Sequence, residues 1–425
     1  MNAAQSLKDK VKRMADTSAA KRASKRALRA PTDLDFAIAS RIGLLDASLW
    51  DAAARDGGLF LSREYLAMLE GATPANLSPR YALVTARGNG AIVPVAAIHM
   101  QIAELSAAQL RQRRLDHGGR GRLLDPLKQS LSDKIHQRLL ACGNFLTYGQ
   151  HGVAIGEGID PAAAWHAVAE VLYRVRNAEK LDGGTQFSLI KDVCGEHVAA
   201  ARTLENLSYR WIETEPNMVL TLDPAWKSHE DYLASLASKY RSSVRNAVMK
   251  PIEAAGCIVE SLTDPAPHVE RLHALYKNVQ ENAAVRPFEL PPDYFPALLA
   301  FAGARGRVSV LRRNADEAIL GFLVSLADGD TGYAYHIGFD RQTASDLPVY
   351  LRLLHAGIAD GIALGVRRIS FGRTALEPKA ALGAKPEAFG VLVRHRQPVL
   401  NKLIKPLLMG IEHDAPPDRN PFKKS

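Results

Sequence analysis

The sequence predicts an α/β fold of mixed, mostly antiparallel sheets with helices, arranged as two tandem halves. Three observations carry this. Arg307 to Asp340 reads as three successive antiparallel strands, with turns at Asn314–Glu317 and Asp328–Thr331. The last of these strands leads through a polar loop into a helix and another strand, a βαβ unit. A strand, loop, helix and strand recur in that order near residue 150, and each unit takes about 40 residues.

In chain order, a basic and flexible segment over 1–32 comes first. Lys8, Lys10, Lys12, Arg13, Lys21, Arg22, Lys25, Arg26 and Arg29 stand against Asp9 and Asp16, nine minus two, which is +7 of the net +9. Three readings stay open for it: a solvated tail, a weak basic helix drawn to anionic lipid through Leu7, Val11 and Met14, or a nucleic-acid arm. It has no aromatic residue for base stacking, so nucleic acid is the least favoured.

An N-terminal half over 33–205 follows. Arg80 to Met100 is a hairpin turned at Gly88–Gly90. His151 to Gly158 is a short strand, and Asp160 to Leu181 a helix with a capping Asp160 and Pro161 at its first position. Thr185 to Ile190 is the next strand. A C-terminal half over 206–410 opens with a strand, Tyr209 to Leu222. Ser238 to Gly256 is a helix with Arg241 and Arg245 on one face, either an anion-binding wall or a solvated surface.

Beyond the three antiparallel strands, Leu347 to Gly365 is a helix capped by Asp346, with Pro348 in its first turn. Leu347, Leu351, Leu354, Ile358 and Ile362 form its apolar stripe. Arg367 to Gly372 is a short strand. Arg396 to Gly410 ends the half as a helix with Leu400, Leu403, Ile404 and Leu407 on one face and Lys402 and Lys405 on its flanks. That face either docks on the core or touches a membrane surface. Residues 411–425 read as a flexible tail.

The composition, 47% hydrophobic and 23% charged, suits a globular chain with a sizeable core. No apolar run nears the roughly 18 residues of a spanning helix, and no signal-peptide core is present. Cys142, Cys194 and Cys257 are far apart, which points to neither zinc nor a disulfide framework and fits a reducing cytoplasm. No metal is expected. Neither G-x-G-x-x-G nor a P-loop occurs, so nucleotide cofactors of those kinds are unsupported.

Candidate site residues gather around Tyr333 to Asp340. Alternation puts Tyr333, Tyr335, Ile337 and Phe339 on one face, and Ala334, His336, Gly338 and Asp340 on the other. Small neighbours leave His336 room to act as a base on a substrate; the other reading is a structural histidine on an edge or surface strand. Glu377, just past the next strand, is the second candidate base, or a plain surface carboxylate. Tyr335 is a candidate proton donor to a leaving thiolate, or a packing residue. Thr343, Ser345 and Asp346 lie in the loop that opens onto a helix N-terminus, where backbone N–H groups favour an anion. Arg341, Arg373 and Lys379 are loop cations that the fold brings to one rim, suited to phosphates or simply solvated. His355 reads as a half-buried packing residue.

Three antiparallel strands, an anion-binding loop at a helix N-terminus and a following strand make an order similar to that of GNAT acyltransferases. Gly372 to Arg396 and Ser238 to Gly256 resemble the Fem-type branch of that superfamily, whose members commonly pair two GNAT-like halves. Bacterial ceramide synthases are placed in this branch too. The resemblance implies an N-acyltransferase with acyl-CoA as co-substrate and an amine acceptor, working by direct transfer. It puts the CoA pyrophosphate at the loop and the thioester where the fourth and fifth strands of the second half splay. A lipid amine such as a sphingoid base is the preferred acceptor, with a cytoplasmic or peripheral-membrane location. Two alternatives stay open. One is a Fem-type aminoacyl or peptidoglycan transferase using charged tRNA, against which the near-neutral body of the chain counts. The other is a non-catalytic membrane-associated scaffold, favoured by a loop without glycine from Gln342 to Leu347.

Overall fold

A computed structural model describes residues 32–88, 90–106, 136–281, 287–409, 417 and 419–423, with scattered positions between 13 and 30. Most of the segment 1–32 lies outside the described residues, as does most of 411–425. The described part of that tail is not free, which corrects the expectation. Phe422 bridges to Leu236 and packs on Trp226 and Tyr232, and Ala237 N donates to Pro421 O.

Thirteen strands make one sheet: β1 (Asp35–Ala39), β2 (Leu77–Gly88), β3 (Ala91–Ser106), β4 (His136–Cys142), β5 (Val153–Ile155), β6 (Phe187–Val193), β7 (Arg210–Thr221), β8 (Cys257–Ser261), β9 (Gly306–Arg313), β10 (Ala318–Asp328), β11 (Thr331–Phe339), β12 (Arg368–Ser370) and β13 (Lys385–His395). Helices α1 (Ala47–Ala53) and α2 (Arg63–Gly71) precede β2, α3 (Pro161–Ala178) leads to β6, and α4 (His197–Ala201) follows it. Between β7 and β8 come α5 (His229–Ser235), α6 (Ser238–Val244) and α7 (Lys250–Ala254). Then α8 (Val269–Gln280) and α9 (Tyr294–Ala302) precede β9, while α10 (Arg341–Asp346) and α11 (Val349–Ala363) join β11 to β12. Last are α12 (Leu376–Ala381) and α13 (Pro398–Met409).

The strand order is β1-β2-β3-β4-β6-β13-β7-β12-β11-β10-β9-β8, with β5 beside β3 off this path. It reads as two equivalent series meeting in the middle. Strands β2, β3 and β4 are antiparallel neighbours, α3 crosses over, and β6 runs parallel to β4. Strands β9, β10 and β11 repeat the arrangement, with α11 as crossover and β12 parallel to β11. The strand that follows each series in the chain pairs with the other series: β7, after β6, pairs with β12, while β13, after β12, pairs with β6, and β7 and β13 pair with each other between them. The predicted 80–100 hairpin and the three strands at 307–340 are present. The earlier βαβ unit needs correction, because β5 pairs antiparallel with β3 and the parallel partner of β6 is β4.

Burial explains the strand sequences. Strand β3 lies between α1 and α3, and β10 between α8 and α11. With both faces covered, Val95–Ala103 and Ile319–Leu326 are buried without interruption instead of alternating. One core draws on both halves: Trp50, Phe60 and Tyr65 pack with Leu272, Tyr294, Phe295 and Phe322. Asp160 caps α3 as expected, accepting from Ala163 N at 3.0 Å. The helix at Ser238–Gly256 is broken by a π-turn at Arg245–Met249, just before Pro251, which lacks an N–H to donate. The expected α13 face is divided: Ile404 is buried with Asn401, while Leu400 and Leu403 are exposed.

Candidate functional site

A bulge decides the geometry of β11. Val324 of β10 pairs with His336 and Ser325 with Ala334, so Tyr335 is an extra residue in the ladder. The alternation resets there. Tyr333 and Tyr335 pack into the core that holds α8 and α9, and His336 meets the rings of Tyr276, Tyr294 and Phe295 on that same side. Ala334, Ile337 and Phe339 pack with α11 on the other. Tyr335 and His336 therefore share a face, contrary to the alternation expected from sequence. The space expected beside His336 is also filled. A Cβ on Gly338 would stand 2.6 Å from Tyr276 N and 2.7 Å from Leu275 C, so the backbone of α8 lies directly on that glycine.

His336 ends a chain of buried hydrogen bonds. Its Nε2 is 3.0 Å from Tyr294 Oη, which donates to Tyr335 Oη at 3.2 Å; Tyr335 Oη is 2.9 Å from Tyr65 Oη. Asn144 Nδ2 donates to Tyr65 Oη at 3.0 Å. Burial lowers the His336 pKa to about 3, so the ring is neutral at pH 7 and a weak base. Burial also holds the Tyr335 phenol well above 10, too weak an acid to hand its proton readily to a thiolate. His336→Ala removes a half-buried ring packed among aromatics and should cost about 2–4 kcal/mol of stability. Denaturant unfolding checks this, and a loss below about 1 kcal/mol would remove the packing role.

A second group of polar residues sits where β11 and β12 part. The two strands pair only across Thr331–Tyr333 and Arg368–Ser370. Just beyond, Tyr148 Oη approaches Ala334 O at 2.8 Å and Ser370 O at 3.0 Å, one hydroxyl proton facing two carbonyls. Tyr148 comes from the N-terminal half, in the loop after β4. Its ring lies on Gly372, where a Cβ would be 3.1–3.3 Å from three ring atoms. Asn217 Oδ1 accepts from Ser370 Oγ at 2.9 Å and from Gly372 N at 3.1 Å.

Lys379, on α12, points its amine under this segment. The side chain is buried, and Nζ donates to Gly372 O at 3.2 Å and to Arg373 O. Burial lowers its pKa to about 7. Arg373 forms an ion pair with Asp192, which is fully buried and also pairs with Lys191 and accepts from Gly149 N at 3.0 Å. Two cations, Lys191 and Arg373, thus share one carboxylate. The backbone is left-handed at Asp192 (φ 55°), Thr374 (φ 61°) and Ala375 (φ 46°). Each costs on the order of 1 kcal/mol or more, and such positions persist where their surroundings hold them, often at functional sites.

The other sequence candidates fall elsewhere. Glu377 is exposed and ion-paired with Arg419. Arg341 is exposed at the start of α10. Asp346 does not cap α11, whose N-cap is Pro348 without a side-chain bond. The reason lies one turn earlier. Asp340 accepts from Thr343 N and Thr343 Oγ1, both at 2.8 Å, and winds Arg341–Asp346 into α10. The N–H groups of Thr343, Ala344 and Leu347 are thereby engaged within the turn, and Ser345 Oγ donates to Gln342 O and Asp346. The row of free donors expected there is absent among the described residues. His355 is buried against His229, with Nδ1 3.1 Å from His229 Nε2. Sequence reasoning missed Tyr148, Asp192 and Tyr294. Tyr148 had a signal, since it lies in a glycine-rich stretch, Gly143 to Gly152; the other two had none.

Residues 238–380 match the family described as Acetyltransferase (GNAT) domain, a span that opens at α6 and closes just past Lys379. Three solved structures illustrate the likeness in overall shape. L-PGS from Bacillus licheniformis is 12% identical, with 82% of this chain and 96% of that one covered and a TM-score of 0.46. A tandem GNAT protein from the clavulanic acid biosynthesis pathway is 11% identical, with 86% and 99% covered and a TM-score of 0.49. FemX is 10% identical, with 91% and 98% covered and a TM-score of 0.46. No curated protein matches. The match to a GNAT acetyltransferase domain covers residues 238–380, about a third of the chain, and supports an acyltransferase.

Proposed function

We propose that the protein transfers an acyl group from acyl-CoA to an amine acceptor at the parting of β11 and β12, with Lys379 as proton acceptor. The observation that carries this is the Lys379 amine. A neutral amine has two N–H groups, and Nζ has two carbonyl acceptors, Gly372 O and Arg373 O, so its lone pair is left over. In the reaction the acceptor nitrogen attacks the thioester carbonyl, forming the C–N bond and a tetrahedral oxyanion, and collapse of that oxyanion breaks the C–S bond. The nitrogen's surplus proton passes to Lys379, and the thiolate leaves to be protonated from solvent. Tyr148 covers this place and must move aside for the donor's arm; its hydroxyl is then free to donate to the oxyanion. His336 and the tyrosine chain hold the bulge from behind.

The acceptor we favour is an amine-bearing lipid such as a sphingoid base; the basic N-terminal segment and the Fem-type resemblance support it. A second reading, aminoacyl transfer from charged tRNA, is favoured by two features. Tyr148 closes the strand parting, and the segment 343–347 has its amides engaged, so neither end of a CoA molecule meets a preformed cradle. Free-thiol release separates the readings. Incubation with acyl-CoA and a long-chain amine should liberate CoA thiol only when both are present. Thiol release with no amine, or none with any amine, would overturn the first reading; consumption of aminoacyl-tRNA without thiol release would establish the second.

A further inference from the structure

The edge of the molecule where β13 ends carries arginines that no carboxylate pairs with among the described residues. Arg176, near the end of α3, has its pKa lowered first by burial and then by Arg394 and Arg396. Arg176 and Arg394 rest over the rings of Tyr173 and Tyr209, at 5.7 and 5.9 Å. The buried carboxylate in this region, Glu179, is taken by Arg80 and Arg138. Among the described residues none of the three arginines is ion-paired.

Beside them α13 turns an apolar ridge outward. Val399, Leu400 and Leu403 are 72%, 44% and 47% exposed, and Leu181, in the turn after α3, is 95% exposed. Asn401 fixes the helix to this edge. Its Oδ1 accepts from His395 N at 2.7 Å, and its Nδ2 donates to Ser208 O at 2.8 Å. Cations and ridge therefore lie side by side.

We propose that this edge rests on an anionic lipid bilayer, with the α13 ridge in the headgroup region and Arg176, Arg394 and Arg396 on lipid phosphates. Cations alone would suit any polyanion, but outward aliphatic side chains beside them gain from contact with acyl chains. A second copy of the chain fits poorly, because a two-fold contact through this edge would set the arginines against their own images. Among the described residues no helix is long and apolar enough to cross a membrane, so α13 lies in the plane of the surface. The contact stands independently of the reaction proposed above.

Co-sedimentation of the full chain with vesicles tests it, comparing pure phosphatidylcholine with phosphatidylcholine containing phosphatidylglycerol. The protein should bind the anionic vesicles and release them in high salt. Arg394→Glu with Arg396→Glu should weaken binding by more than the roughly fivefold that each lost cation is worth near an anionic surface. Val399→Ser with Leu403→Ser should weaken the salt-resistant fraction. Arg396, Val399 and Leu403 are exposed and Arg394 is half-buried over Tyr209, so matching melting curves verify the folding of both variants. The proposal fails if the chain ignores anionic vesicles, or if both variants sediment like the parent. It fails equally if deletion of residues 1–30 alone abolishes binding, or if the serine variant only dissolves a dimer.

Discussion

Lys379→Met should lower turnover by roughly two to four orders of magnitude, the usual worth of a positioned acid–base group. The fold should survive. Methionine matches the length of the buried stem and removes an amine whose charge the interior disfavours; two carbonyls lose a donor in exchange, a loss of about 1–3 kcal/mol each if they stay unsatisfied. The two changes oppose each other, so melting temperature should move by a few degrees at most. Lys379 has a folded pKa of about 7, below the ordinary 10.5. Turnover of the parent should therefore rise as pH climbs through about 7 and the amine loses its proton. Stability follows the same direction. Between those two pH values the unfolded chain holds a proton that the fold has shed, so stability rises with pH across the window. In the methionine variant both rises should vanish. A parent profile flat through pH 7, or a well-folded variant at near-normal turnover, would remove Lys379 from the mechanism.

Acid should unfold the protein early. Burial lowers His99, His151 and His336 to about 3 and His229 to about 4, and His355 lies well below 6.5. Lys191 adds to the effect at His151, Arg352 at His229, and each of His229 and His355 is bonded to the other. Folded, all five are neutral at pH 5; unfolded, each takes a proton as pH falls through about 6.5. Stability is thus full above 6.5 and falls as acid binds the unfolded chain. Each group contributes about 1.4 kcal/mol per pH unit, so five together approach about 7 kcal/mol per unit. Even half that slope exhausts a stability of about 5–15 kcal/mol within a few units. At the full slope that stability is spent within about one to two units below 6.5, so circular dichroism against pH should show the midpoint above pH 4, and native ellipticity retained at pH 4 would contradict the full slope.

Local order was legible in the sequence, and long-range order was not. The 80–100 hairpin, the strands at 307–340 and the caps Asp160 and Pro161 all follow from signals within a few residues. The bulge at Tyr335 was hidden because an inserted residue leaves no mark on an alternating pattern; it is set by which β10 residue faces it. Asp192 and Arg373 are 181 residues apart in the chain, and neither predicts the other. Asp346 does not cap α11 because Asp340, six residues earlier, caps a separate short helix that takes Asp346 in as its last residue. Tyr148 reaches the strand parting from the other half, and only the shared sheet brings it there.

The exchanged strands set a timetable for synthesis. Strand β6 ends at Val193, and its native partner β13 begins at Lys385, 192 residues later (385 − 193). At about 5–20 residues per second, a ribosome leaves that edge unpaired for roughly 10–40 s. Strand β7 emerges first and can pair with β6 in the meantime, closing the early half on itself. Such an interim pairing would cover the edge, and would have to open again before β13 takes its place.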